Sequence, residues 1–175
     1  SSNTAIGLTS PGNGDVPIFT ATNTTTSPIS SIITVTPTFS NGGVSCTGPT
    51  MSITITVNPT GQVNQPNNVV FCAGDASTAI PFTSSNTIGT TTYTWTNDTL
   101  GIGLNASGTG NIPVFTPINN TTSPIVATIS VIPTFSNGGK SCIGPSKVFT
   151  ITINPRGQVN NVSNIIVCNG DTVPA

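Results

Sequence analysis

SKVFTITINP, Ser146 to Pro155, is the segment that decides the fold. Within it Phe149, Ile151 and Ile153 fall on one face of an extended chain and Thr150 and Thr152 on the other, because successive strand side chains point to opposite faces. A period of two in β-branched and aromatic residues, ended by Asn154-Pro155, predicts a half-buried strand. Upstream, Ile125, Ala127, Ile129 and Val131 share a face in the same way, and so do Tyr93 and Trp95 in TTYTWTN. With Val69 to Cys72, Ala79 to Phe82 and Ile112 to Phe115, some six or seven short strands are separated by turn residues. The pattern predicts an all-β, immunoglobulin-like sandwich whose core holds Tyr93, Trp95, Phe115, Ile129, Val131 and Ile151, with Trp95 central.

Composition supports strands and excludes several functions. Of 175 residues 4% are charged, the net charge is -1, and the ionisable set is Asp15, Asp75, Asp98, Asp171, Lys140, Lys147 and Arg156, with no His. Disordered chains combine high net charge with few β-branched residues, whereas Ile, Val and Thr abound here. Three scattered cations cannot form the basic cluster that displaces counterions from nucleic acid. Apolar runs are too short for a membrane span, and no charged-then-apolar signal opens the chain, so an export signal is expected on a longer precursor.

The chain also repeats itself. A gapless match at a period of about 96 residues runs from Ile6 against Ile102 to Ala79 against Ala175, with roughly half of the positions identical. IGLTSPGNGDVPIFT (Ile6 to Thr20) returns as IGLNASGTGNIPVFT (Ile102 to Thr116), PTFSNGGVSCTGP as PTFSNGGKSCIGP, and NPTGQVN as NPRGQVN. Such a period fits a whole small β-domain. Asn58-Pro59 and Asn154-Pro155, each followed closely by Gly, mark the seams. The expected organisation is residues 1–59 as the later strands of one repeat, 60–155 as a complete repeat, and 156–175 as the first strand of another.

Four cysteines allow three pairings. Cys72 lies in the first strand of the whole repeat and Cys142 in the SNGGKSCIGPS connection between its last two strands, which a sandwich brings to one pole. The expected disulfide is therefore Cys72 to Cys142, closing a loop of about 70 residues and contributing about 3 to 4 kcal/mol. Cys46 and Cys168 then pair outside this segment or with another subunit, the alternative being four buried thiols. Disulfides persist in oxidising compartments, so the expected setting is extracellular.

No motif carries catalysis. Asp75 and Asp171, in CAGD and CNGD, read as turn-stabilising residues rather than calcium ligands, since no second carboxylate converges on both copies. GTGNIP and SNGG precede no helix and read as turns rather than phosphate cradles. Ser and Thr are plentiful, but there is no His base, and Val44 and Met51 stand where the other copy has Lys140 and Lys147. Asn-x-Ser/Thr triplets at Asn23, Asn97, Asn105, Asn119, Asn120 and Asn161 are largely accidents of composition. Thr99 and Thr172, in Asp-Thr-aliphatic triplets, are candidate O-glycosylation sites.

Taken together, VVFCAGD, TTYTWTN, IGLNASGTGNIPVFT, SPIVATISVIPTF, SCIGP and FTITINP resemble the PKD-like, immunoglobulin-like repeats of very large surface proteins of Bacteroidota. The resemblance covers essentially the whole chain. It implies export by the type IX secretion system, a cell-surface location, and a place in an adhesin stalk, gliding filament or extracellular fibre. It carries over no catalytic residue and no cofactor. The expected function is thus mechanical: a non-catalytic repeat that associates with neighbouring repeats and with copies of itself. The rival is an adhesive module for cell-surface glycans or protein, for which exposed aromatic side chains are the cheapest sign.

Overall fold

The computed structural model describes residues 2–9 and 12–173; Ser1 and Ala175, the outer limits of the two partial repeats, lie outside them. A 3-10 turn at Thr4–Ile6 is followed by ten strands: β1 (Ile29–Val35), β2 (Thr38–Asn41), β3 (Val44–Thr47), β4 (Met51–Val57), β5 (Val69–Cys72), β6 (Thr90–Asn97), β7 (Ser107–Thr109), β8 (Ile125–Asn137), β9 (Lys140–Ile143) and β10 (Lys147–Asn154). The chain is thus almost entirely β, and its sheets are consistent with a sandwich.

Six strands form one sheet in the order β5-β10-β8-β6-β7, with β9 paired to the far part of β8. β5 runs parallel to β10, joining Ile151 to Val69 and Asn154 to Cys72; the other pairings are antiparallel. The alternation of β10 places Phe149, Ile151 and Ile153 inward, and Ala127, Ile129 and Val131 of β8 line the same face. Trp95 is 3% exposed in this cluster, while Tyr93 and Phe115 are partly buried against it. The second layer is thinner than a full sheet. Ile80, Phe82, Ile102, Leu104 and Ile112 close the core from segments that pair only through a bridge between Ile80 and Ile112. The strands expected over Ala79 to Phe82 and Ile112 to Phe115 are therefore extended loops, because Pro81 and Pro113 each remove a ladder donor.

β8 also differs from expectation. It continues through Pro133, which pairs with Tyr93, to a hairpin with β9 turned by Gly138 and Gly139 at φ of 58 and 74°. Pro133 donates no bond but accepts one from the Gly144 amide at 2.9 Å.

In the earlier part of the chain β1 pairs with β4, and β2 with β3, beside a small cluster of Ile6, Leu8 and Ile33. Local geometry recurs at the repeat offset. The Thr22 amide donates to the Ile6 carbonyl as Ile118 does to Ile102, both at 2.9 Å, and Gly7 and Gly103 share positive φ. Ser2 even reproduces with its hydroxyl, on Ile32, the contact that the Asp98 carboxylate makes with the Thr128 amide.

The disulfide expectation is corrected. All four cysteines are free thiols. Cys72 pairs with Asn154 at the pole where β10 ends beside Ile125, whereas Cys142 pairs with Phe135, about ten residues and roughly 30 Å further along β8. A disulfide spans at most about 7 Å between Cα atoms. The physical reason is that Cys72 closes a strand parallel to β10, while the β8–β9 hairpin carries Cys142 to the opposite end.

Candidate functional site

The ionisable side chains are dispersed rather than convergent. Among the described residues no group of three or more His, Cys, Asp or Glu could hold a metal ion. Asp75 is ion-paired with Arg156 at 2.9 Å, both exposed, so its side chain does not make the turn bond read from the sequence; Asp171 does, accepting from the Cys168 amide at 2.7 Å. Such surface pairs contribute about 0 to 1 kcal/mol. The Thr128 amide at 2.7 Å, together with the Thr99 hydroxyl, holds the Asp98 carboxyl below its usual range.

That places Thr99 half-buried with its hydroxyl already donated to Asp98 at 2.8 Å, whereas Thr172 is exposed in an irregular segment. Of the aromatic side chains, Tyr93 packs on Phe82 with ring centroids 5.6 Å apart, and Trp95 is enclosed. Phe39 on β2 is 71% exposed, although Phe135 at its repeat position is fully buried over Gly89.

A dense arrangement of polar groups lies around Asn58-Pro59, the seam expected from the sequence. Asn58 and Asn137 are joined twice: the Asn58 amide donates to the Asn137 carbonyl at 2.9 Å, and the Asn137 amide donates to Asn58 Oδ1 at 3.0 Å. Beyond Pro59, the Gly61 amide donates to the Cys142 carbonyl at 3.1 Å. The backbone there passes so close that Gly144 has the Gly61 carbonyl where a Cβ would stand, and a Cβ on Gly61 would lie 2.6 Å from the Pro133 oxygen. These glycines are required for space.

Asn86 completes the seam. Its Oδ1 accepts from the Gln62 amide at 2.6 Å, and its amide donates to the carbonyls of Thr60 at 3.1 Å and Thr26 at 3.3 Å, beside a 2.9 Å bond from the Thr87 amide to Thr26. The next residue, Ile88, has φ of 58°, a left-handed conformation that costs a β-branched residue about 1 to 2 kcal/mol. Bonds to Thr26 and Thr60 on both sides of the seam offset that strain. Sequence reasoning missed Asn86, because SSNT carries only a generic turn signal and its partners lie 24 and 60 residues away.

A second Asn pins the loop beside the end of β4 and, 96 residues on, the loop beside the end of β10. The buried Asn119 amide donates to Ser123 and Ile153 carbonyls at 2.9 and 2.8 Å, while its Oδ1 accepts from the Thr121 amide and hydroxyl. Asn23 makes the same bonds to Ser27, Val57 and Thr25. Asn119→Ala is expected to cost about 2 kcal/mol, since it leaves the Ile153 carbonyl without its partner. Urea melts check this, and a loss below about 0.5 kcal/mol would show that water replaces the amide.

No helix among the described residues is long and apolar enough to cross a membrane. Comparison with protein-family models, with curated proteins and with solved structures finds no match for this chain.

Proposed function

We propose that the chain is a non-catalytic, load-bearing segment of tandem immunoglobulin-like, PKD-like repeats with a period of about 96 residues, forming part of an extracellular adhesin stalk or self-associating fibre. The observation that carries this reading is the seam. A loose linker between independent domains needs no contacts, yet here Asn58 with Asn137, and Asn86 and Thr87 with Thr26, tie one repeat to the next through side chain and backbone. Such ties resist tilting and transmit tension along the chain. The exposed strands carry Ser and Thr rather than charge, so copies can lie side by side without repulsion. The free thiols do not contribute a covalent limit to extension within a repeat.

Electron microscopy of the native protein tests the reading. A thin array with a regular axial spacing of roughly 40 Å is expected, the length of thirteen residues of β8 at about 3.3 Å each. Compact particles without linear order would overturn it. Binding of defined glycans through the exposed Phe39 hairpin would favour the adhesive module instead.

A further inference from the structure

Asn-Gly is the dipeptide in which an asparagine side chain most readily reacts with its own backbone, because glycine leaves the following amide nitrogen unhindered. Four such pairs occur in the chain: Asn13-Gly14, Asn41-Gly42, Asn137-Gly138 and Asn169-Gly170. The second and third stand at the same repeat position, in the SNGG turns of the β2–β3 and β8–β9 hairpins. The two turns share one backbone geometry, with φ of 58° at Gly42 and Gly138, 80° at Gly43 and 74° at Gly139. A Cβ on any of these four glycines would meet nothing within 4 Å, so both turns are open to water.

The asparagine side chains differ. Asn41 is exposed and, among the described residues, its side chain makes no hydrogen bond. Asn137 is half-buried; its amide donates to Asn58 Oδ1 at 3.0 Å, and its main-chain carbonyl accepts from the Asn58 amide at 2.9 Å. Ring closure turns the Asn137 side chain back over its own backbone and expels Nδ2, the atom that is fixed on Asn58, so it competes with the clasp. Lys140 faces Asn137 across the turn where Val44 faces Asn41. It acts in the opposite sense, because a cation favours loss of the Gly138 amide proton.

We infer that Asn137 is a self-modification site: its bond to Asn58 holds it unreacted, and its reaction loosens the clasp irreversibly. The Gly138 nitrogen attacks Asn137 Cγ, forming a C–N bond and a five-membered succinimide. The Cγ–Nδ2 bond breaks, and ammonia leaves with the proton that the Gly138 nitrogen has given up. Water is the one co-reactant, and it opens the ring at either carbonyl. Hydrolysis at Cγ leaves an aspartate, whose carboxylate has no proton to donate to Asn58 Oδ1. Hydrolysis at the main-chain carbon leaves an isoaspartate, in which a methylene enters the backbone of the turn and the carbonyl that accepted from Asn58 becomes a free carboxylate. Either product removes at least one of the two bonds between Asn58 and Asn137.

Mass spectrometry of the 175-residue chain, incubated at mildly alkaline pH and digested at intervals, tests the inference. Deamidation is expected to be about tenfold slower at Asn137 than at Asn41, the factor that giving up one hydrogen bond imposes on a rate. This comparison within wild type needs no variant. Asn58→Ala is expected to bring Asn137 up to the rate of Asn41, while Asn58→Asp, which keeps an acceptor for the Asn137 amide, leaves it slow. Unchanged thermal melts exclude unfolding as the cause. Asn137→Asp, one of the two products, is expected to speed hydrogen exchange at the neighbouring Gly61 amide by about tenfold, with Asn41→Asp as the control that leaves it protected. Equal rates at Asn41 and Asn137 in wild type, or an Asn137 rate that Asn58→Ala does not raise, overturn the protection. A Gly61 amide as well protected in Asn137→Asp as in wild type overturns the loosening.

Discussion

Trp95→Ala is expected to lower the stability of the whole repeat by about 3 to 5 kcal/mol, the usual cost of emptying an aromatic core site. Trp95 sits on β6 between Val131 of β8 and Gly108 of β7, and its ring covers Gly108 so closely that a Cβ there would enter it. Strands on both sides are held by their ladders, so the site cannot collapse to fill the void. The indole Nε1 is buried without a hydrogen-bond partner, which separates two contributions. Trp95→Phe removes that unpaired donor and keeps most of the ring, so its cost is expected to be below about half that of the Ala variant. Denaturant melts of both variants check the pair. A Trp95→Ala change below about 1 kcal/mol would show that the second layer closes over the gap.

How far the sequence reveals this architecture depends on the range of the contacts. The alternation in Phe149 to Ile153 and Ile125 to Val131 reports local burial, and the strands lie there because one face of each meets the same core. The continuation of β8 beyond Val131 was hidden by Pro133. Proline normally punctuates a strand, yet this one is tolerated because its carbonyl still receives Gly144 while the ladder resumes around it. The poles of the cysteines were equally unreadable, since they depend on β5 running parallel to β10 and on the length of a hairpin whose SCIGP reads as a loop. The seam was legible only as a position. Pro59 and Gly61 mark where the sequence leads one to expect a change of repeat, but that the chain is clasped there rather than free rests on Asn86 and Asn137, distant in sequence and chemically ordinary.

The two copies of GQVN turn that clasp into a controlled comparison. Gly61→Ala is expected to cost about 3 kcal/mol, at the upper end for overpacking, while Gly157→Ala changes the monomer by less than about 0.5 kcal/mol. A Cβ on Gly61 would lie 2.6 Å from the Pro133 oxygen, 2.8 Å from its carbon and 3.0 Å from the Phe135 nitrogen, all backbone atoms that no rotamer change can move aside. A Cβ on Gly157 would meet nothing within 4 Å. Neither glycine has positive φ, so the contrast isolates space from backbone strain. Relief at Gly61 requires the linker to lift off the hairpin, breaking its 3.1 Å bond to Cys142 and withdrawing Val63 from the core. Hydrogen exchange reads this directly: the Gly61 amide is expected to lose protection in Gly61→Ala and keep it in Gly157→Ala, with thermal melts shifting in parallel. Equal melts and equal protection in the two variants would mean that the linker does not press on the hairpin in solution, and the seam would then be a tether rather than a clasp.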